Sequence, residues 1–292
     1  PVCTTFRSPV PDAGPPAATA VSQSLPAVGI SIRNMGVQST PAIVGAAARA
    51  ADEAGFESLW ITDHIAIPPD DAEGSGGRYL DPLGTLGWLA GQTSRIKLGT
   101  GVLILPYRPP LPTAKLLATV QELSGERVVL GVGIGWMRAE FNAVGQNLRK
   151  RVSTSEATLR FLHECFDNDV VTANDQQFLF KPRPARPPFL IGGAAPHAVD
   201  RALRLGDGWM PMGRLEKLRE PIRDYLARAE ALGQTPEVVT FAPLNPADPG
   251  ALRAALEAHA EAGATRLVTS TRYEQGDELL RYIDAVANVL WS

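Results

Sequence analysis

Three short segments bring together residue types that could do chemistry. The first is Thr62, Asp63 and His64, a histidine beside a carboxylate directly after an apolar run. An imidazole so placed can give or take a proton near neutrality. The second is the run 130–136, in which Gly131, Gly133 and Gly135 alternate with Val132 and Ile134 and end on Trp136. The third is Ile191, Gly192, Gly193, Ala194 and Ala195, followed by Pro196. Small residues between a strand and a helix leave backbone N–H groups open to an anion. A dinucleotide fingerprint does not fit the second segment. Its third glycine would fall on Trp136 or Arg138, depending on the register, and no acidic residue ends a second strand about 20 residues later. Two readings of the segment stay open, a tight strand-to-helix turn or a phosphate cradle. Two such turns on adjacent strands would hold one phosphate, so a nucleotide-like cofactor accounts for both.

His64 likewise has two readings, a brace for its loop or a proton-transfer group. The other histidines, His163, His197 and His259, fall on helix-like stretches. Neighbouring side chains point apart, so Asp63 reads as a cap of the loop rather than as a partner of His64. Other chemistries lack their residues. No lysine stands at a strand end to form a Schiff base, since Lys97 opens its strand. His64 alone follows a strand, which is too few ligands for a metal, and the two cysteines, Cys3 and Cys165, match no metal or redox spacing. No metal is expected. A net charge of -3 gives no footprint for nucleic acid, and no uninterrupted apolar run of about 18 residues suggests a membrane span. A reducing, cytoplasmic setting is the simple reading of the sparse cysteines.

The elements that must carry these segments repeat from residue 27 onward. Apolar runs at 28–32, 59–61, 96–105, 128–132, 189–191, 209–210, 238–241 and 267–268 are separated by helix-like stretches. Such runs indicate a parallel sheet covered by helices. Eight units in one chain of 292 residues predict an α/β fold, a (β/α)8 TIM barrel. Gly55, Gly125, Gly206, Gly233 and Gly263 are expected as left-handed caps after helices. Thr40-Pro41 and Asp248-Pro249 mark helix starts, and Ser153 with Glu156 reads as a capping box. The stretch 150–188 is longer than a loop and reads as an insertion after strand four. Residues 1–26, rich in Pro, Ala, Ser and Thr, read as a flexible N-terminal tail, and 27–292 as the barrel domain. Barrel chemistry sits at the carboxyl ends of the strands. Asn34, Tyr107 and Met212 are therefore candidates for a substrate pocket, as are Met35 and Met210, and for Tyr107 and the three methionines a place in the core is an equal reading.

Together these segments resemble the luciferase-like monooxygenase superfamily, particularly its coenzyme F420 (deazaflavin) branch. The residues that carry the likeness run from Glu57 to His64, from Leu98 to Val102 with Pro106 to Pro109, from Leu123 to Trp136 with Glu140, and through Ile191 to Gly193 with Gly206 to Trp209. The resemblance implies that His64 assists proton transfer beside the cofactor ring and that Asp63 contributes to the cofactor site. It implies a non-prolyl cis peptide at Gly101-Val102 beneath that ring. The cofactor phosphate would meet Gly133, Ile134, Gly135 and Trp136 together with the turn from Gly192 to Ala195. A homodimer is implied as well. The sugar-phosphate dehydrogenases of this branch carry a glutamate at the position of Trp136 and an amide near Ala139. Trp136 cannot transfer a proton, so its indole is expected to line or cover an apolar substrate pocket. The leading expectation is hydride transfer between F420 and a small organic substrate. The rival is an FMN-dependent two-component monooxygenase, and a non-catalytic flavin or deazaflavin binder is the reading from a different class.

Overall fold

The computed structural model describes residues 24–291. The expected tail, residues 1–26, lies outside the described residues except for its last three positions. Eight parallel strands close into a barrel: β1 (Ala27–Ser31), β2 (Ser58–Ile61), β3 (Lys97–Ile104), β4 (Val128–Gly133), β7 (Phe189–Gly192), β8 (Gly208–Met210), β9 (Glu237–Phe241) and β10 (Arg266–Thr269). Strand β1 pairs with both β2 and β10, which completes the ring. The outer layer is α1 (Pro41–Glu53), α2 (Pro82–Ala90), α3 (Pro110–Leu123), α5 (Arg151–Asp167), α6 (His197–Leu205), α7 (Leu215–Ala231), α8 (Pro249–Glu261) and α9 (Gly276–Trp291). Between β4 and β7 the chain also forms a short helix, α4 (Arg138–Ala143), and an antiparallel hairpin of β5 (Val170–Ala173) and β6 (Gln176–Leu179). The long helix in that stretch, α5, is the barrel's own fourth helix. Among the described residues, no helix is long and apolar enough to cross a membrane.

The alternation of side chains along each strand sorts the core into two layers. Trp60, Val129, Leu190, Met210, Val239 and Val268 pack together inside the barrel. Their strand neighbours, such as Leu59, Ile61, Leu130, Phe189, Ile191, Val238 and Leu267, face the helices. One strand interrupts the rhythm. The β3–β4 register shifts between Thr100 and Leu103. Val102 thereby joins the interior cluster while Leu103 joins the outer one. The Gly101-Val102 peptide is cis, as the resemblance implied.

Local signals held at most helix ends. Thr40 and Asp248 accept hydrogen bonds from the Ile43 and Ala251 amides, as N-caps do. Two readings are corrected. The helix near Ser153 starts earlier, at Arg151, so Ser153 lies inside it and donates to the Lys150 carbonyl. Glu156 is drawn away from any cap by Arg204 (2.8 Å) and Arg160 (3.2 Å). Gly206 is extended (φ -119°) rather than left-handed. It is small for a different reason: a Cβ there would lie 2.7 Å from the Ile191 side chain and 3.1 Å from the Phe189 carbonyl oxygen.

Arg266 closes the amino-terminal end of the barrel. It is 4% exposed, forks onto Glu57 (2.7 and 2.9 Å), reaches Glu237 (2.8 Å) and lies 5.6 Å from the Trp60 ring centre. Lys97 holds Glu57 from the other side at 2.8 Å. Burial pushes the Glu57 pKa up, but Arg266 and Lys97 outweigh it and hold it below its ordinary value. Arg266→Met would leave two carboxylates short of their cation, at a cost of about 2–3 kcal/mol in urea unfolding at pH 7. A depressed carboxylate stabilises the fold above its unfolded pKa and loses that contribution as pH falls through the folded value. The gap between wild type and variant should therefore close below about pH 4.5.

Candidate active site

The carboxyl ends of the strands surround a cavity of about 550 Å³. Side-chain parity determines what faces it. Two steps beyond Trp60 and Leu190, the interior direction reaches Thr62 and Gly192; four steps beyond Trp60 and Val129 it reaches His64 and Gly133. All four line the cavity, together with Met212, two steps beyond Met210. Of the expected residues, Asp63, Gly101, Val102, Ile134, Gly135, Trp136 and Gly193 line it too. Val102 sits between the ends of β4 and β7. A Cβ on Gly133 would lie 2.5 Å from one Val102 methyl, and a Cβ on Gly192 2.7 Å from the other. The two glycines thus leave the space that Val102 occupies on the cavity floor.

Five expected residues stand elsewhere. Asn34 is fully buried. Its amide donates to the Thr62 and Leu80 carbonyls (2.8 and 2.9 Å), and its oxygen accepts from Thr62, so it fixes the loop beneath the histidine. Tyr107 belongs to a single 3-10 turn after β3, which breaks the alternation and buries the ring against Phe141. Ala194 and Ala195 are exposed in the turn before α6, outside the cavity wall. Met35 opens onto a neighbouring recess beside Arg33 and Tyr273 rather than onto this cavity, whereas Met210 does line it.

His64 is held from behind by a residue to which sequence reasoning gave no role. Its Nδ1 lies 2.8 Å from Glu140 Oε2, on α4. Glu140 is fully buried and accepts three further hydrogen bonds: from the Ile65 and Ala66 amides (2.6 and 3.0 Å) and from the Tyr107 hydroxyl (2.9 Å). Burial raises the Glu140 pKa, but these donors outweigh it, and the carboxyl is held below its ordinary value. Burial and the bond to Glu140 push the Tyr107 hydroxyl well up, so it remains a donor. An anionic Glu140 assigns the Nδ1 proton to the bond between them, which leaves Nε2 for the cavity. Tyr79 and Trp136 flank the imidazole at 4.9 and 6.3 Å between ring centres. Trp136 is 69% exposed, at the cavity mouth.

Asp63 neither orients His64 nor caps its own loop. With opposite parity to His64, its carboxylate turns toward β3. There it accepts the Ile104 amide at 2.8 Å and both arms of Arg108 at 2.6 and 2.9 Å. Arg108 also reaches Asp81, the N-cap of α2, at 2.8 Å. Burial disfavours the guanidinium charge, but the two carboxylates outweigh it and hold Arg108 well above its ordinary pKa. Arg108 left no local signal, because its two carboxylate partners stand 45 and 27 residues away in the chain. Glu140 left a weak signal, an acidic residue four positions beyond Trp136.

The wall is largely apolar, with Val102, Ile104, Ile134, Met210 and Phe241, and Gly101 has no nearer neighbour for an added Cβ than 3.6 Å. One guanidinium, Arg151, also lines it. A flat, apolar ring bearing an anionic side chain fits this lining.

The family model for luciferase-like monooxygenases matches residues 27–289. This chain belongs to that family. Within it, an uncharacterised protein of Mycobacterium tuberculosis is 29% identical over 271 residues, 85% of this chain and 93% of that protein. The F420-dependent hydroxymycolic acid dehydrogenase of the same organism is 29% identical over 198 residues, 65% of this chain and 54% of that enzyme. In three dimensions the chain superposes on a monooxygenase from Streptomyces bottropensis with a TM-score of 0.77 at 19% identity, covering 90% and 98% of the two chains.

The Asp63–Arg108 fork offers a test of how this luciferase-like site is braced. Lysine cannot bond both carboxylate oxygens and Asp81 in the same plane. Arg108→Lys should cost about 2 kcal/mol in chemical unfolding, whereas a rim ion pair would cost under about 1 kcal/mol. A loss in the smaller range would show that Asp63 does not depend on the fork.

Proposed function

We propose that the protein is an oxidoreductase that moves a hydride between the deazaflavin coenzyme F420 and a small organic substrate. The observation that carries the reading is the His64–Glu140–Tyr107 chain, which presents one imidazole nitrogen to an apolar cavity floored by Gly101 and Val102. The F420-dependent relative supports the choice of cofactor. When bound, the coenzyme supplies the hydride at its C5 carbon. His64 gives a proton to the substrate heteroatom when the adjacent carbon is reduced, and takes it back in the reverse direction. Glu140 fixes the tautomer and the orientation of His64 through the bond to Nδ1. Gly101 and Val102 shape the floor, and Asp63, through Arg108, fixes the strand end that carries them. The turns at Gly133 to Trp136 and at Gly192 and Gly193 meet the phosphate of the side chain. Trp136 and Met212, exposed at the mouth, contact the substrate and shield it from water.

The family's monooxygenase chemistry favours a second reading, an FMN-dependent oxygenase supplied with reduced flavin. Titrating the purified protein with F420 and with FMN, followed by fluorescence quenching, separates the two when oxygen consumption is recorded in parallel. Tighter binding of F420 without oxygen uptake supports the first reading; preference for FMN with oxygen uptake overturns it. In the enzyme so assigned, His64→Ala should lower turnover by about 10²–10⁴-fold with little change in cofactor affinity. It should also remove one limb of the pH–rate profile. Glu140→Gln should reproduce the altered pH profile with His64 in place. A loss of thermal stability and cofactor binding together, with the pH profile intact, would reduce His64 to a loop brace.

A further inference from the structure

A second recess, of about 450 Å³, opens at the carboxyl ends of β1 and β10 and shares Thr62 with the active-site cavity. Side-chain parity again decides what it receives. Val28 and Ile30 face the helices, so Ser31 and Arg33 continue the inward direction of β1; on β10 the inward direction from Val268 leads to Ser270 and Arg272. Arg33 is half-buried, its Nε is buried with no hydrogen-bond partner, and its guanidinium makes a single bond, from Nη2 to the Gly74 carbonyl at 2.9 Å. Among the described residues, no carboxylate pairs with Arg33. A donor left unpaired in this way is not explained by folding alone. Tyr273 adds a second donor. It is 3% exposed, and its hydroxyl accepts the Arg33 amide at 3.2 Å, while its own proton meets no acceptor among the described residues. Burial pushes the Tyr273 pKa up against the lowering effect of Arg33, so the hydroxyl keeps that proton at neutral pH.

The strand order sets β1 and β10 across the ring from β4 and β7, whose turns are assigned to the cofactor. The recess is thus free for a second ligand that reaches past Thr62 toward His64. We infer that it is a substrate subsite, in which Arg33 and Tyr273 hold a carboxylate of the molecule that reacts beside His64. Ile32 and Met35 offer apolar contact to its carbon chain. Glu274 also lines the recess and opposes a doubly charged group, which favours a carboxylate over a phosphate. The inference rests on the proposed function for the reaction, but the carboxylate site stands on Arg33 and Tyr273 alone.

The first test compares hexanoate with hexanamide, which share their carbon chain and differ in charge, by calorimetric titration at pH 7. The wild type should bind hexanoate at least about 10-fold more tightly, the scale of a charge-assisted contact. Arg33→Gln should reduce this preference to below about threefold with hexanamide unchanged. Arg33→Lys should keep part of it and serves if the glutamine variant does not fold; Tyr273→Phe should lose a smaller part. No preference in the wild type, or a preference that survives Arg33→Gln because the anion sits elsewhere, overturns the site. F420 binding, read by fluorescence quenching, should be the same in Arg33→Gln as in the wild type; a parallel loss would give the recess to the cofactor and overturn the substrate role. The second test follows oxidation of hydroxyhexanoates and the matching hexanols with F420, the hydride passing to the coenzyme and the hydroxyl proton to His64. The hydroxy acids should show a kcat/KM about 10-fold higher in the wild type, an advantage lost in Arg33→Gln. Equal rates, or turnover of neither although F420 and hexanoate bind, overturn the substrate role. If the wild type does not bind F420, the proposed function fails separately, and the hexanoate pair still decides the carboxylate site.

Discussion

Side chains along a strand alternate between two faces, and in a closed barrel those faces are the interior and the helical layer. This constraint decides the character of the site before any particular residue does. Continuing the interior direction from Trp60 leads to Thr62 and His64, and from Leu190 to Gly192. The opposite direction, from Leu59 through Ile61, leads to Asp63, which touches the cavity wall but turns its carboxylate onto Arg108 and the Ile104 amide. Two adjacent residues with similar chemical potential thus acquire unlike tasks. A one-residue slip of β2 would exchange them, placing a carboxylate in the cavity and an imidazole against β3. Glu140 would lose its partner, and Arg108 would lose one of its two.

The one departure from alternation, at β3, is equally decisive. Its register shift turns Val102 inward, and Gly133 and Gly192 leave that side chain room at the ends of the two neighbouring strands. The floor of the cavity is consequently built from three strands. None of them could change size there alone: a methyl group on either glycine would require Val102 to move. This explains why both glycine-rich segments sit near the same floor, a role distinct from the phosphate-cradle reading of their N–H groups.

The parts legible in the sequence are those governed by periodicity and local rules. Eight apolar runs, capped helices and a histidine after the second strand follow from neighbours in the chain. The less legible parts depend on long-range meetings. Glu140 is 76 residues from His64 and meets it only because α4 folds over the end of β2. Arg108 is 45 residues from Asp63. Tyr107 was expected at the substrate because strand ends face the cavity, but a single 3-10 turn rotated it behind the histidine. Gly206 had the right residue type for a left-handed cap, yet crowding from Ile191 and the Phe189 carbonyl sets its size requirement. In each case a residue's type could be read locally, while its partner was supplied by the closed ring.

The electrostatics follow from the same closure. Buried charge is tolerated only when it is paired or well hydrogen-bonded. The structure meets this requirement at the barrel base with Arg266, at the end of β3 with Arg108 and behind His64 with the four donors around Glu140. Each assembly joins at least two strand–helix units, so none exists until the barrel closes. The imidazole is held by groups from β2, β3 and α4, and its orientation is an outcome of global folding rather than of loop sequence. Substitutions at Tyr107 or Asn34, which do not line the cavity, act on the site through this scaffold. The cavity wall is largely apolar, and of the charged side chains that line it Asp63 is already paired with Arg108, so closure of the barrel leaves one imidazole oriented over a floor shaped by Gly101 and Val102.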